Sequence, residues 1–126
     1  IAQYRMGEAE AIYRSCRSWL MEAMEAVEDE LREGADLPGA KTTQDARLAC
    51  VHASNECMKV VDLLHNTAGT TGMRMYSPLE RKLRDAHAAA THRWVAHPLY
   101  QDLGSILLGN EPDAEFAGGN GAPTAK

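Results

Sequence analysis

Two histidines, His87 and His92, stand in the alanine-rich segment RDAHAAATH at residues 84–92. An imidazole can accept or donate a proton near neutral pH, so either side chain could act as a general acid or base. Five helical residues place the two rings about 140° apart, so they cannot bind one metal ion as an i, i+4 pair does. Asp85 lies two turns from His92, too far for direct contact. With no HExxH, CxxC or serine-nucleophile motif, we expect no metal site, and His92 taken alone is most simply an exposed or capping residue.

A second polar segment, HNTAGTTGM at residues 65–73, combines two glycines with three threonine hydroxyls. Backbone N–H groups in a glycine-bearing loop can bind an anion. The segment lacks the lysine of a P-loop and the spacing of a GxGxxG motif, so its pattern alone favours a simple connection between helices.

The elements that position these residues are predicted to be helices, because apolar residues recur at offsets of three, four and seven. Thr42 or Thr43 is the expected cap of the second helix. We place four helices at about 3–33, 43–66, 78–95 and 98–108. Short connections between them predict an all-α, antiparallel four-helix bundle over residues 1–109. The Gly- and Pro-rich residues 110–126 are expected to be a flexible tail.

The third helix has the clearest start in the chain, SPLE at residues 77–80, which has the pattern of a capping box. A helical wheel directs its large apolar residues and Trp94 to the core. The opposite face holds Asp85, Ala88 and His92 but no Lys or Glu. A solvated helix face normally carries such charges, so we expect this face to be covered.

Composition excludes several classes of protein. A net charge of −5 over 126 residues disfavours nucleic-acid binding, and no apolar run is long enough to span a bilayer. Cys50 and Cys57 should lie roughly 10.5 Å apart on one helix, too far for a disulfide. Three such cysteines predict buried thiols in a reducing cytoplasm.

These segments together resemble the C-terminal helical domain of the acyl-CoA dehydrogenase superfamily across about residues 3–109. VVDLLHNTAGTTGM and SPLERKLRDAHAAATH are similar to its glycine turn and to its Arg-Asp-Ala-Lys helix. Asn66 stands where the family has Gln, and His87 stands where it has Lys. The catalytic Glu segment of the dehydrogenases is absent, because HRWVAHP takes its place.

Without that Glu, the sequence is most similar to the two-component flavin-dependent monooxygenases, the branch of dibenzothiophene monooxygenase and the aromatic hydroxylases. The resemblance implies FAD or FMN as cofactor, a separate flavin reductase, an aromatic or polycyclic substrate, and His92 as the active-site base. It also implies which residues lie near the flavin: His65, Asn66, Gly69, Thr70, Thr71, Asp85 and Ala88.

The same resemblance implies that the chain is a domain of a longer flavoprotein, inactive alone, and that it forms a homo-oligomer through its helices. Two alternatives stay open. One is acyl-CoA dehydrogenase chemistry with a base from elsewhere, and the other is a non-enzymatic helical module whose bare face binds a partner helix.

Overall fold

The computed structural model describes residues 1–111, and within them every regular element is helical. The predicted all-α, four-helix architecture is therefore confirmed. The tail predicted to be flexible, residues 110–126, lies almost wholly outside the described residues. The elements are α1 (Ala2–Arg32), α2 (Ala40–Ala68), a 3-10 turn (Gly69–Thr71), α3 (Pro78–Ala90) and α4 (Leu99–Leu107). Of these helices, none combines the length and apolar character that crossing a membrane requires.

The two long helices, α1 and α2, pack along each other through small side chains. Ala23 of α1 and Ala46 and Ala49 of α2 are buried at their contact. Alanine allows two helix axes to approach closely, and larger apolar residues close the sides of this contact. Those packed around it are Trp19, Leu20, Met24 and Val27.

The second helix is also buried on its other side. Val51 and Asn55 of α2 are buried as fully as Ala49 and Ala53, yet they lie about 160° around the helix from them. The alanine face meets α1, while α3 and α4 pack against α2 as well. Both sides of α2 are therefore buried against other helices, and α2 is the central helix of the fold.

The start of α3 agrees with the sequence, with one difference. Ser77 Oγ accepts a hydrogen bond from the N–H of Leu79 at 3.3 Å, and Pro78 is the first helical residue. Glu80 does not complete the capping box, because its carboxylate pairs with Arg84 at 2.8 Å instead. The ion pair competes for the carboxylate that would have bonded back to the cap.

The predicted end of α3 is wrong. The helix ends at Ala90 rather than Val95, and the Thr91 hydroxyl donates to the carbonyl of Ala88 at 2.7 Å, which satisfies the last turn. His92 is thus on the turn between α3 and α4, so the helical wheel could not give its direction. Trp94 is 37% exposed on the same turn and is not a core residue.

The start of α2 also differs from the prediction, because neither Thr42 nor Thr43 caps it. The helix begins after Gly39, and the carboxylate of Glu30 on α1 accepts hydrogen bonds from the Gly39 N–H at 2.6 Å and from the Thr42 hydroxyl. A negative charge at a helix N-terminus is favourable. Glu30 thus links the end of α1 to the start of α2, where the chain turns from one helix into the other.

We expect Glu30→Gln to lower the midpoint of thermal unfolding near neutral pH, because the charge at the start of α2 is lost. The Thr42 and Gly39 hydrogen bonds hold the pKa of Glu30 below its ordinary value of 4.5. The stability that ionised Glu30 adds is fully present above its ordinary pKa of 4.5. It is lost as the pH falls through the lower pKa of Glu30 in the folded state. The two proteins should therefore converge in acid, as measured by circular dichroism. Glu25→Gln, an exposed change on the same helix, is the control and should shift the midpoint little at any pH.

Candidate functional site

The segment that follows α2 forms a tight turn that two glycines make possible. Gly69 has φ +59° and ψ −143°, a conformation that is strained for any residue with a Cβ. The N–H of Gly72 donates to the Gly69 carbonyl at 3.0 Å. A Cβ at Gly72 would lie only 3.2 Å from the Ala68 Cβ and from the His65 carbonyl oxygen. The backbone of this turn is therefore set by its glycines.

His65 closes the turn from the last part of α2. Its Nε2 lies 3.1 Å from the carbonyl oxygen of Gly72, and because a carbonyl can only accept, Nε2 is the donor. Asn66, Thr70 and Thr71 are exposed around this closed turn. Of the residues predicted here, His65 thus orders the backbone while the others present polar groups to the surface.

The second candidate element is the turn that carries His92. The carbonyl of His92 accepts a hydrogen bond from the Val95 N–H at 2.9 Å, and its Nδ1 accepts one from the Trp94 N–H at 3.4 Å. The imidazole is exposed. Since Nδ1 is the acceptor, Nε2 carries the proton in the neutral ring and is directed away from the turn.

Trp94 lies beside two guanidinium groups. The Cζ of Arg93 is 5.1 Å from the centre of the indole, and the Cζ of Arg47 on α2 is 5.7 Å from it. Both distances are those of cation–π contacts. Trp94, two residues after His92, thus belongs to an aromatic and positively charged cluster, although the chain as a whole is acidic.

Asn55 joins this turn to the central helix, and the sequence analysis missed it. Its side chain is buried, and its amide nitrogen donates to the Val51 carbonyl at 2.7 Å and to the Val95 carbonyl at 3.2 Å. A buried amide of this kind is retained only when its hydrogen bonds are made. No local signal marked this residue, because Asn55 lies between Ser54 and Glu56 in a helix with many polar side chains.

The face of α3 that the sequence analysis expects to be covered is exposed in the described chain, at Asp85, Ala88 and Ala89. Asp85 is not free of charge partners, because its carboxylate lies 3.7 Å from Arg81 Nε one turn earlier. The face therefore offers small side chains with one surface ion pair, and a flat group could approach the helix closely there.

A histidine–carboxylate pair links α3 to α2 and was also missed. His87 Nε2 lies 2.7 Å from the Asp62 carboxylate, and both side chains are partly exposed. The sequence analysis considered only Asp85 as a partner for a histidine in this segment. Asp62 is 25 residues from His87, so no local spacing could have indicated the pair.

The structure does not bring all the predicted site residues together. The glycine turn follows His65, whereas the His92 turn is bonded to Asn55, ten residues earlier on the same helix. Ten residues correspond to about 15 Å along the axis of an α-helix. The candidate site thus has two parts at different levels of α2. A single ligand would have to be elongated to contact both.

Cysteine and metal chemistry find little support in the described chain. Burial raises the pKa of all three thiols, which are free, so little nucleophilic thiolate forms near neutral pH. Within residues 1–111, no three His, Cys, Asp or Glu side chains are grouped so that they could hold a metal ion. The histidines on the turns and on α3 remain the candidates for acid–base work.

Comparison with known families agrees with this arrangement of helices and turns. The sequence model described as "Acyl-CoA dehydrogenase, C-terminal domain" matches residues 1–97. The chain belongs to this family. The match includes all of α1, α2 and α3 and extends through the His92 turn, so the resemblance inferred from the sequence is confirmed.

Two relatives are similar to this acyl-CoA dehydrogenase C-terminal domain over nearly its whole length. The chain is 29% identical to the indole-3-acetate monooxygenase of Acinetobacter baumannii and 30% identical to that of Pseudomonas putida, each over 112 residues. Those residues are 89% of this chain but 28% of either relative. The chain thus spans less than a third of the length of the curated relatives that it matches.

We expect Gly69→Ala to lower the free energy of unfolding by about 1–3 kcal/mol, the cost of holding a Cβ in this conformation. Gly104→Ala in α4 is the matched control. Its added Cβ would meet nothing within 4 Å, and alanine should raise the stability by roughly 0.5–1 kcal/mol. Urea unfolding measures both, and equal effects of the same sign would contradict the assigned geometry of the turn.

Proposed function

We propose that this chain is the C-terminal helical domain of a flavin-dependent monooxygenase that hydroxylates an aromatic substrate. Family membership and the similarity to two monooxygenases of indole-3-acetate support this function. The observation that carries it is His92, exposed on a turn where the dehydrogenases, by resemblance, have a catalytic Glu. The longer protein, FAD or FMN, and a separate flavin reductase are parts of the same proposal.

The residues of the two turns fit a flavin nucleotide. The glycine turn exposes the hydroxyls of Thr70 and Thr71 and the amide of Asn66. His65 and the two glycines fix the backbone of this turn. Hydroxyl and amide groups of this kind can bind the phosphate or ribityl oxygens of a flavin nucleotide. Exposed Ala88 on α3 leaves room for a flat ring, and Asp85 lies on the same face. The separation of the two turns along α2 suits an elongated ligand.

When bound, reduced flavin supplies the activation of molecular oxygen and its transfer to the substrate. The chain supplies His92, whose exposed imidazole holds or exchanges a proton with the reacting groups near neutral pH. Trp94 adds an aromatic surface beside it, and Arg93 and Arg47 add positive charge. An aromatic substrate is the chemical class that such a surface would favour.

The proposal includes a cytoplasmic homo-oligomer. Several large apolar side chains are exposed at the start of α1, before α3 and at the end of α4, and such surfaces mark contacts with other protein. In these three segments they are Ile1, Tyr4, Met6, Met73, Met75, Tyr76, Leu107 and Leu108.

In the full-length enzyme, we expect His92→Ala to reduce the rate of hydroxylation by more than about 100-fold, the scale of a lost general acid or base. Flavin binding should be retained, because the glycine turn is untouched. His97→Phe is the control, since His97 is exposed and makes an edge contact with Tyr100 that a phenyl ring can reproduce. Turnover with supplied reduced flavin measures both, and an unchanged rate for His92→Ala would remove this residue from the mechanism.

Dehydrogenase chemistry is the second candidate, because Arg84, Asp85 and Ala86 keep the family's helix pattern. It predicts that an acyl-CoA bleaches the bound flavin without oxygen. We expect no bleaching in an anaerobic titration of the full-length enzyme, and a requirement for a flavin reductase in aerobic turnover. Bleaching by an acyl-CoA, with no need for a reductase, would replace the monooxygenase proposal with the dehydrogenase one.

A further inference from the structure

We infer that Asn55, remote from the reacting groups, is the positioning residue that holds the His92 turn in its working orientation. This inference rests on the proposed function. Asn55 is 6% exposed, and both hydrogens of its amide group are used, one within α2 on Val51 and one on the Val95 carbonyl, 40 residues away. The second bond is a direct polar link between the central helix and the turn that follows α3.

Two backbone hydrogen bonds connect the Val95 end of this turn to His92. Val95 also contacts the histidine through its other backbone group, because its N–H donates to the His92 carbonyl at 2.9 Å. The preceding N–H, that of Trp94, donates to His92 Nδ1 at 3.4 Å. The amide of Asn55 thus fixes the turn whose backbone orients both the main chain and the ring of His92.

This arrangement also determines which ring nitrogen of His92 is available to a ligand. With Nδ1 occupied as an acceptor, the neutral ring presents Nε2–H outward. In this form His92 meets a bound group as a hydrogen-bond donor, not as the proton-accepting base that the resemblance implies. If the turn moved, the ring would lose the Trp94 N–H and could adopt the other tautomer. Asn55 therefore acts on the chemistry only through His92.

The hydrogen bond from Asn55 adds to the Arg47–Trp94 contact, which also joins α2 to this turn. Thr91, His92 and Arg93 are exposed, and α3 has already ended at Ala90. Asn55 is buried and Val95 is half-buried, so the hydrogen bond between them is partly shielded from solvent. Losing the bond would leave the Val95 carbonyl without its donor.

The test uses Asn55→Ser in the full-length enzyme. A serine hydroxyl can still bond the carbonyl four residues earlier in its own helix, but it is too short to reach Val95. We expect kcat to fall about 10- to 100-fold, as for a misplaced catalytic group, while KM for the aromatic substrate changes less than about twofold. A kcat equal to that of the wild type would overturn the inference.

A double-mutant cycle separates positioning from general damage. In the His92→Ala background, Asn55→Ser should change kcat by less than about twofold, because the group that it positions is absent. An equal fold loss in both backgrounds would overturn the inference. Asn55→Leu is the second variant if the serine protein is poorly folded. Val27→Ala, a change in the α1–α2 contact away from the turn, is the stability control.

Hydrogen exchange tests the anchor without reference to activity. In Asn55→Ser, the amides of residues 91–97 should exchange faster than in the wild type, while those of α1 should not. Unchanged exchange in 91–97 would overturn the anchor whatever the rate. Faster exchange in Asn55→Ser, together with normal turnover of His92→Ala, would support the anchor and contradict the proposed role of His92. A failure of this inference is therefore distinguishable from a failure of the proposed function.

Discussion

Burial of α2 on two opposite sides is the constraint on which the rest of this fold depends. Ala46, Ala49 and Ala53 form a thin face that lets α1 approach closely, while Val51 and Asn55 are buried about 160° away. A helix buried on both sides cannot rotate or slide without losing contacts on one of them. The turns that precede and follow α3 are therefore positioned relative to a fixed element.

The polar groups along α2 take part in that positioning. Asn55, Asp62 and His65 each bond a partner outside the helix, respectively the Val95 carbonyl, the His87 ring and the Gly72 carbonyl. They follow one another at intervals of seven and three residues, so the later part of the chain is bonded to α2 at three successive levels. Glu30 adds a fourth link at the opposite end, between α1 and the start of α2. Because each bond requires a specific partner, these links select one docking of the helices, which apolar packing alone would not.

The candidate site follows from this arrangement. A glycine turn with exposed hydroxyl and amide groups lies at the end of α2. The turn with the exposed His92 is bonded to α2 about three helical turns further back. The exposed face of α3 at Asp85, Ala88 and Ala89 presents small side chains and the Arg81–Asp85 ion pair. Each of these parts forms only one side of the candidate site. The chain itself matches 28% of the length of its two relatives.

The sequence by itself determined the all-α class, the start of α3 and the family, because apolar periodicity, capping residues and the glycine and Arg-Asp segments are local patterns. Local patterns could not determine where α3 ends. Alanines at 88–90 continue a helix equally well with or without Thr91 and His92, and the Thr91 hydroxyl together with the distant Asn55 amide decided the outcome. Likewise, only tertiary structure paired His87 with Asp62 and moved Trp94 from the expected core to the surface. The physical reason is that these contacts join residues on different elements, whose relative positions are set by burial of the whole helix.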